Sequence, residues 1–285
     1  MHLFSHHINN VARLGAYRGS ETVDLGPGSL LETLQNGALP QLAGAIAAAP
    51  VLDAHTVQFL PVIPNPPKII CVGLNYREHR AEAGESKTAD YPDFFIRTAT
   101  SLTHHNGVIE RPQCSQALDF EGELVIIIGK TARHIPASQA LDVIAGYSVF
   151  NEGSIRDYQF RASQWTWGKN FDRTGAFGPC LATPDELPRS IKEGLQLTTR
   201  LNGQIVQSAS TSDLIFDIPA LISMLSEGMT LQAGDVIVTG TPSGVGLART
   251  PPLYMRDGDT VEVEIEGIGK LRNIIKDEFQ QAAAA

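Results

Sequence analysis

Cysteine is scarce in this sequence. Cys71, Cys114 and Cys180 are the only three in 285 residues. Three thiols cannot build a disulfide framework and show no paired metal-ligand spacing, so a reducing, cytoplasmic setting is expected. Positive charge is also short: 22 Lys and Arg face 31 Asp and Glu, a net charge of −9. That balance argues against a binder of phosphate backbones and removes nucleic acid from the expected partners. Long apolar runs are missing too. The longest, 45–49 and 124–128, are far too short to span a bilayer, so no membrane partner is expected. Arg, His and Asn interrupt every apolar run in 1–20, and no secretory leader is visible.

What is present is a globular composition, 42% hydrophobic and 19% charged, with ample core for one large domain or a main domain with an appendage. The 26 Gly and 17 Pro are spread along the chain and predict many turns, hence much β-structure. Pro61-Val-Ile-Pro-Asn-Pro-Pro67 favours extended backbone and cannot continue a helix, which divides a small N-terminal domain at 1–65 from a main domain at 66–285.

Spacing predicts short strands in 11–25 and a helical stretch over 29–49 through Leu30, Leu31, Leu34, Leu39 and Leu42. Beyond the linker it predicts strands at 68–72, 94–97, 118–129, 146–151, 235–240 and 261–265, and helices at 77–83, 156–161 and 218–225. Asn202-Gly203 marks a type I′ hairpin, a last hairpin is expected at 267–269, and 282–285 is expected to fray. Strands outnumber helices without alternating with them, which argues for a β-rich α+β fold over a doubly wound sheet.

The most informative stretch is Asp119-Phe-Glu-Gly-Glu-Leu-Val-Ile-Ile-Ile-Gly129. On a strand, Glu121 and Glu123 project from one face, at the mouth of an apolar run. Two such carboxylates repel and resist burial. A hard divalent cation removes both penalties, because Mg²⁺ and Mn²⁺ prefer oxygen ligands. By spacing alone a solvated edge beside a Lys or Arg is the simpler reading. Glu152, at a predicted strand end, adds a third carboxylate, and Arg156 and Gln159 follow at i, i+3 on one helix face. An ordinary first-turn acid with a surface ion pair stands beside that reading. His79 and Glu82 form an i, i+3 pair that could hold and deprotonate a water, or simply decorate an exposed helix.

Six collinear motifs then resemble the fumarylacetoacetate hydrolase superfamily: Gly73-Leu-Asn-Tyr-Arg-Glu-His-Arg-Ala-Glu82, Asp119-Phe-Glu-Gly-Glu-Leu124, Arg156-Asp-Tyr-Gln159, Gly168-Lys-Asn-Phe-Asp172, Gly178-Pro179 and Thr239-Gly-Thr-Pro-Ser-Gly-Val-Gly246. The likeness spans roughly 68–278, and the first 60 residues resemble a small domain that many members carry. It implies a mixed β-roll with short helices, a homodimer, and a Mg²⁺ or Mn²⁺ site in which Glu121, Glu123 and Glu152 are the ligands. The family commonly has Asn-Asp where this chain has Asn151-Glu152. The extra methylene has to be absorbed, and Gly153 could supply the backbone freedom. His79 and Glu82 match the family's water-activating dyad, and Lys169 its lysine beside the substrate. Arg156 and Gln159 match residues that hold the substrate, Tyr76 and Thr241 match pocket positions, and Arg97 stands where a Lys is often found.

The implied activity is hydrolysis of a C–C bond in an acylpyruvate or related 2,4-dioxo acid. A decarboxylase, hydratase or tautomerase of a 2-oxo dicarboxylic acid from aromatic or sugar-acid breakdown is the alternative, and a catalytically silent binding protein is a second. Other signals are weaker. Gly240 to Gly246 lacks the Lys-Ser/Thr of a phosphate loop, and His104-His105 reads as a polar turn near Asn106-Gly107. Trp165 and Trp167 fit a pocket wall or plain packing equally well, while Cys71 and Cys114 read as core.

Overall fold

Gly122–Ile128 lies at the centre of the molecule, and every residue in it is buried. Its run of Leu, Val and Ile suits a strand covered on both faces. Leu124, Ile126 and Ile128 point into one hydrophobic core, and Val125 and Ile127 into a second on the opposite face of the sheet. Ile144–Glu152 and Val236–Val238 pair with it antiparallel on either side. The computed structural model describes residues 1–53, 57–85, 87 and 89–279, and the segment 282–285 lies outside them.

The large sheet runs from Val51–Leu52 through Glu21–Pro27, Val11–Arg18, His2–Ile8, Gly175–Ala182, Ile144–Glu152, Gly122–Ile128 and Val236–Val238 to Ile69–Gly73 and Asp93–Arg97. It is mixed: Val236–Val238 is parallel to Ile69–Gly73, and Leu102–His104 is parallel to Gly175–Ala182. His2 and Leu3 pair with Ala182 and Leu181, so the N-terminal strands continue this sheet. A five-stranded sheet of Gln204–Ser210, Gln196–Leu201, Thr260–Ile265, Gly269–Asp277 and Val108–Arg111 closes the larger core. This is the mixed, β-rich α+β architecture that the sequence led us to expect. Asn202 and Gly203 both have positive φ, as a type I′ hairpin requires. Among the described residues no helix is long and apolar enough to cross a membrane.

Several local expectations are corrected. The helical stretch 29–49 is two short helices, Leu30–Gln35 and Leu42–Ala48, with a 3-10 turn between them at Pro40. The helix after Glu152 ends at Gln159 rather than at 161. The strand expected over 118–129 is broken into Leu118–Asp119 and Gly122–Ile128. Asp119 causes the break: its carboxylate accepts the amide N–H of Phe120, Gly246 and Leu247, and Arg156 bonds it at 2.8 Å, which turns the chain before the ladder resumes. Cys71 is buried, but Cys114 is exposed rather than core.

His104-His105 does sit at a turn between two strands. The His105 Nδ1 accepts the amide N–H of Arg272 at 3.3 Å, and its ring meets Phe59 edge-on at 5.1 Å. Burial, then His104 and Arg272, push its pKa down to about 4. The unfolded chain takes up this proton near 6.5, whereas the folded state resists it. Stability from this site is therefore complete above that value and is lost as pH falls toward 4, about 2 kcal/mol by roughly pH 5. His105→Gln should flatten the decline in urea-unfolding free energy over that window, and an unchanged decline would reject the assignment.

Candidate active site

Four strand ends meet at one edge of the large sheet. Ile69–Gly73 and Ile144–Glu152 finish there, Gly122–Ile128 starts there, and Thr239 leaves Val236–Val238 there. Thr239 is tied across by donating its amide and hydroxyl to the Leu124 carbonyl. Around this edge lies a cavity of about 490 Å³. Glu121, Glu123, Glu152, Arg156, Gln159, Lys169 and Thr241 line its buried end, and His79 and Glu82 line it from the helix Arg77–Glu82.

Each of the three glutamates places a carboxylate oxygen within 4.8 Å of the others. Glu121 is the best compensated: Arg156 Nη1 lies at 2.6 Å, Lys169 Nζ at 2.8 Å, and the Ser154 hydroxyl donates at 3.0 Å. Burial works against its ionisation, but the guanidinium and the ammonium outweigh it and hold the carboxyl at about 2. Glu123 is the reverse case. Burial, then Glu152 and Glu121, push it well above the usual carboxylate range, and the Gly240 amide at 2.5 Å offsets only part. Lys169 also reaches Glu152 at 3.0 Å, and despite its burial Glu121 and Glu152 keep its pKa raised. The other oxygen of Glu152 has no hydrogen-bond partner, and its nearest cation is Arg97 at 3.7 Å.

Arg97, Arg156 and Lys169 thus face Asp119, Glu121, Glu123 and Glu152, which leaves one negative charge in excess when all are ionised. An all-oxygen set with an orphaned acceptor and mutual repulsion suits a hard divalent cation. The cluster could hold one. Glu152 reaches it although Gly153 contributes no left-handed turn. Gly153 is required instead by close approach, since a Cβ there would lie 2.2 Å from the Thr174 carbonyl oxygen.

His79 Nδ1 pairs with Glu82 Oε1 at 2.7 Å. Glu82 also accepts the Gly244 amide at 3.0 Å, so although burial opposes ionisation its pKa lies below the ordinary value. Nδ1 being engaged, Nε2 is the ring nitrogen left to exchange a proton.

The glycine-rich segment proves to be the clamp of the site. Its amides bind the protein's own acids: Gly240 donates to Glu123, Gly244 to Glu82, and Gly246 to Asp119 at 2.8 Å. Gly240 and Gly244 have φ of +103° and +99°, where other residues are strained. Three supporting residues have no role legible in the sequence. Asn75 donates to the Phe216 and Thr239 carbonyls, Asp119 orients Arg156, and Gln207 accepts the Gly122 amide while donating to the Thr241 hydroxyl. Asn75 and Asp119 lie inside the quoted motifs, but nothing in their spacing shows what they touch, and Gln207 had no signal.

Tyr76 and Arg97 are not brought to the cavity wall. Tyr76 is buried behind Glu123 with its hydroxyl unpartnered. Arg97 lies beneath Glu152, bonded to Ser101, Thr174 and the Gly153 carbonyl. In this structure Tyr76 lies beside Glu123 and Arg97 beside Glu152. Of the two tryptophans, Trp165 lines the cavity and Trp167 packs edge-on against Tyr158 outside it.

The C-terminal domain model of fumarylacetoacetate hydrolase matches residues 68–276. An oxaloacetate tautomerase of Bacillus subtilis, YisK, is 43% identical over 216 residues, which is 75% of this chain and 71% of that one. The solved fumarylacetoacetate hydrolase of Exiguobacterium antarcticum aligns over 98% of this chain and 100% of its own, at TM-score 0.85 and 36% identity. A maleylpyruvate hydrolase of Sphingobium sp. SYK-6, solved with manganese(II) and pyruvate, aligns over the same shares at TM-score 0.81 and 26% identity.

Proposed function

We propose, from the premise that this chain belongs to the fumarylacetoacetate hydrolase family, that it is a cation-dependent tautomerase interconverting the enol and keto forms of a 2-oxo acid. The observation that carries this reading is the His79–Glu82 dyad, which lines the same cavity as the buried carboxylate cluster. His79 is the only imidazole among the described lining residues. Lys169 is bound to two carboxylates and stays charged, so it cannot serve as the base. Likeness to an oxaloacetate tautomerase at 43% identity, against 26% for the maleylpyruvate hydrolase, supports placing tautomerisation before hydrolysis.

Enol-to-keto conversion removes one proton from the enol oxygen and adds one to the adjacent carbon. A neutral His79, oriented by Glu82 through Nδ1, accepts the first proton at Nε2. As imidazolium it delivers that proton to carbon, with Glu82 stabilising the transient charge. The reverse order runs keto to enol, and no water is consumed. Lys169 and Arg156 offset most of the carboxylate charge at the buried end, which lowers its repulsion of the acid's oxygens. A Mg²⁺ or Mn²⁺ ion bound by Glu121, Glu123 and Glu152 would supply Lewis acidity toward the 2-oxo and carboxylate oxygens.

C–C hydrolysis of an acylpyruvate is the second reading, favoured by one observation. His79 and Glu82, a pair able to hold and deprotonate a water, line the same cavity of about 490 Å³ as the carboxylate cluster. A cytoplasmic location belongs to the same proposal, on the strength of three free thiols.

Loss of enol ultraviolet absorbance, with and without the metal and with product analysis, separates these readings. Keto acid alone supports tautomerisation; pyruvate with a matching acid supports hydrolysis. His79→Asn should lower kcat by about 10²–10⁴-fold while calorimetric Mn²⁺ binding is unchanged. Undiminished turnover in that variant would remove the dyad from the mechanism.

A further inference from the structure

The cavity is lined by the buried charged cluster and by several apolar side chains, some of them exposed at its mouth. Among the described lining residues the fixed cations are Arg156 and Lys169. Lys169 is bonded to Glu121 and Glu152. Arg156 gives Nε to Asp119 and Nη1 to Glu121 and Gln159, which leaves Nη2 as a buried donor without a partner. A carboxylate of a bound acid would find its cationic donor there. A second would find no further fixed cation among the described lining residues. Arg97 lies beneath Glu152, and Arg161 stacks on the Tyr158 ring at 3.4 Å. The rim itself carries Glu82 and Glu85.

The apolar lining residues nearest the mouth are Trp165, Phe160 and Leu247, while Phe95 lies deeper, with the Lys169 ammonium 5.1 Å from its ring. Trp165 is held in place: a Cβ on Gly73 would lie 2.1 Å from its Cζ3, so only glycine lets the indole lie against the strand end. Its ring meets Phe95 edge-on at 5.9 Å. Phe160 and Leu247 stand 59% and 36% exposed at the mouth, apolar surface that a ligand's own apolar part would remove from water.

Resting on the reading of this enzyme as a 2-oxo acid tautomerase, we infer that the outer half of the cavity is an apolar subsite. Its substrate is a monocarboxylic 2-oxo or 2,4-dioxo acid with an alkyl or aryl substituent, preferred over a short dicarboxylate such as oxaloacetate. The acid head lies at Arg156 and the carboxylate cluster, and the substituent lies between Trp165 and Phe160. Lengthening the substituent gains about fourfold in kcat/KM per buried methylene until the wall is covered.

The test uses the Mn²⁺-loaded enzyme with enols of oxaloacetate, acetylpyruvate, butanoylpyruvate, hexanoylpyruvate and benzoylpyruvate. Alongside it, calorimetric binding is measured for saturated 2-oxo acids of increasing chain length and for 2-oxoglutarate. The expected result is kcat/KM rising along the acyl series and exceeding that for oxaloacetate at least tenfold. Affinity should rise in parallel, with a heat-capacity change growing more negative with chain length. Phe160→Ser and Trp165→Ala should each cut the gain per methylene to less than twofold. Equal or greater preference for oxaloacetate, or a flat affinity series, would overturn the subsite while leaving the tautomerase reading intact. If no enol were turned over, that reading would fall, and the affinity series together with the two variants would still decide the subsite.

Discussion

Glu123→Gln should abolish metal-dependent turnover and at the same time raise the thermal stability of the metal-free protein. The two effects have different origins. Turnover falls because a carboxamide supplies one neutral oxygen where the cluster needs an anionic ligand. The loss should exceed the roughly 10–100-fold that follows removal of an outer-shell partner. Stability rises because Glu123 is buried beside Glu152 and Glu121, which hold its pKa well above the ordinary value. A carboxyl with a raised folded pKa contributes fully to stability below its unfolded pKa of about 4.3, and the contribution is lost as pH rises through the folded value. Near neutral pH the metal-free wild type therefore carries a penalty that glutamine lacks. In EDTA the variant's Tm should be higher and its alkaline decline flatter. Binding of Mg²⁺ or Mn²⁺ to the wild type should release a proton, and affinity should climb with pH. Full metal-dependent activity in the variant, or a lower Tm than wild type in EDTA, would sink the ligand assignment.

The second large effect is expected at Lys169. It is buried, and it is the closest cation to both Glu121 and Glu152 apart from the Arg156 contact to Glu121. Methionine at this position would fill similar space without the charge, leaving Glu152 with only Arg97 at 3.7 Å. Removing one partner of a buried ionic group costs about 3–5 kcal/mol, and urea unfolding of metal-free Lys169→Met should show a loss of that size. The excess negative charge of the cluster would grow from one to two. The variant should therefore gain more in Tm from saturating Mg²⁺ than the wild type does, although its turnover is lost. Unaltered stability would mean that the ion pairs are not what holds the carboxylates together. An equal Mg²⁺ shift in the two proteins would mean that the lysine and the cation do not share the same charges.

Features that depend on short-range spacing were legible along the chain. The unbroken apolar run Leu124 to Ile128 made a buried strand legible. The i, i+3 interval joined His79 to Glu82 and Arg156 to Gln159, and both pairs are bonded as that interval allows. Asn202-Gly203 specified its own turn through positive φ, and the order of six motifs identified the family.

Contacts between groups far apart in the chain were not legible there, because only folding brings such groups together. The amide that binds Glu123 comes from Gly240, and Asp119 is held by amides 127 and 128 residues further on. For that reason a loop that looked like a failed phosphate cradle clamps the site's own acids, and a strand that looked continuous breaks at Phe120 and Glu121. The same limit explains Tyr76 and Arg97. Motif position brought them to the right neighbourhood, but whether a side chain faces the cavity or backs a carboxylate depends on which layer lies on either side of it. Periodicity along one chain segment carries no information about the opposite wall, and the wall is where the charge balance of this site is set.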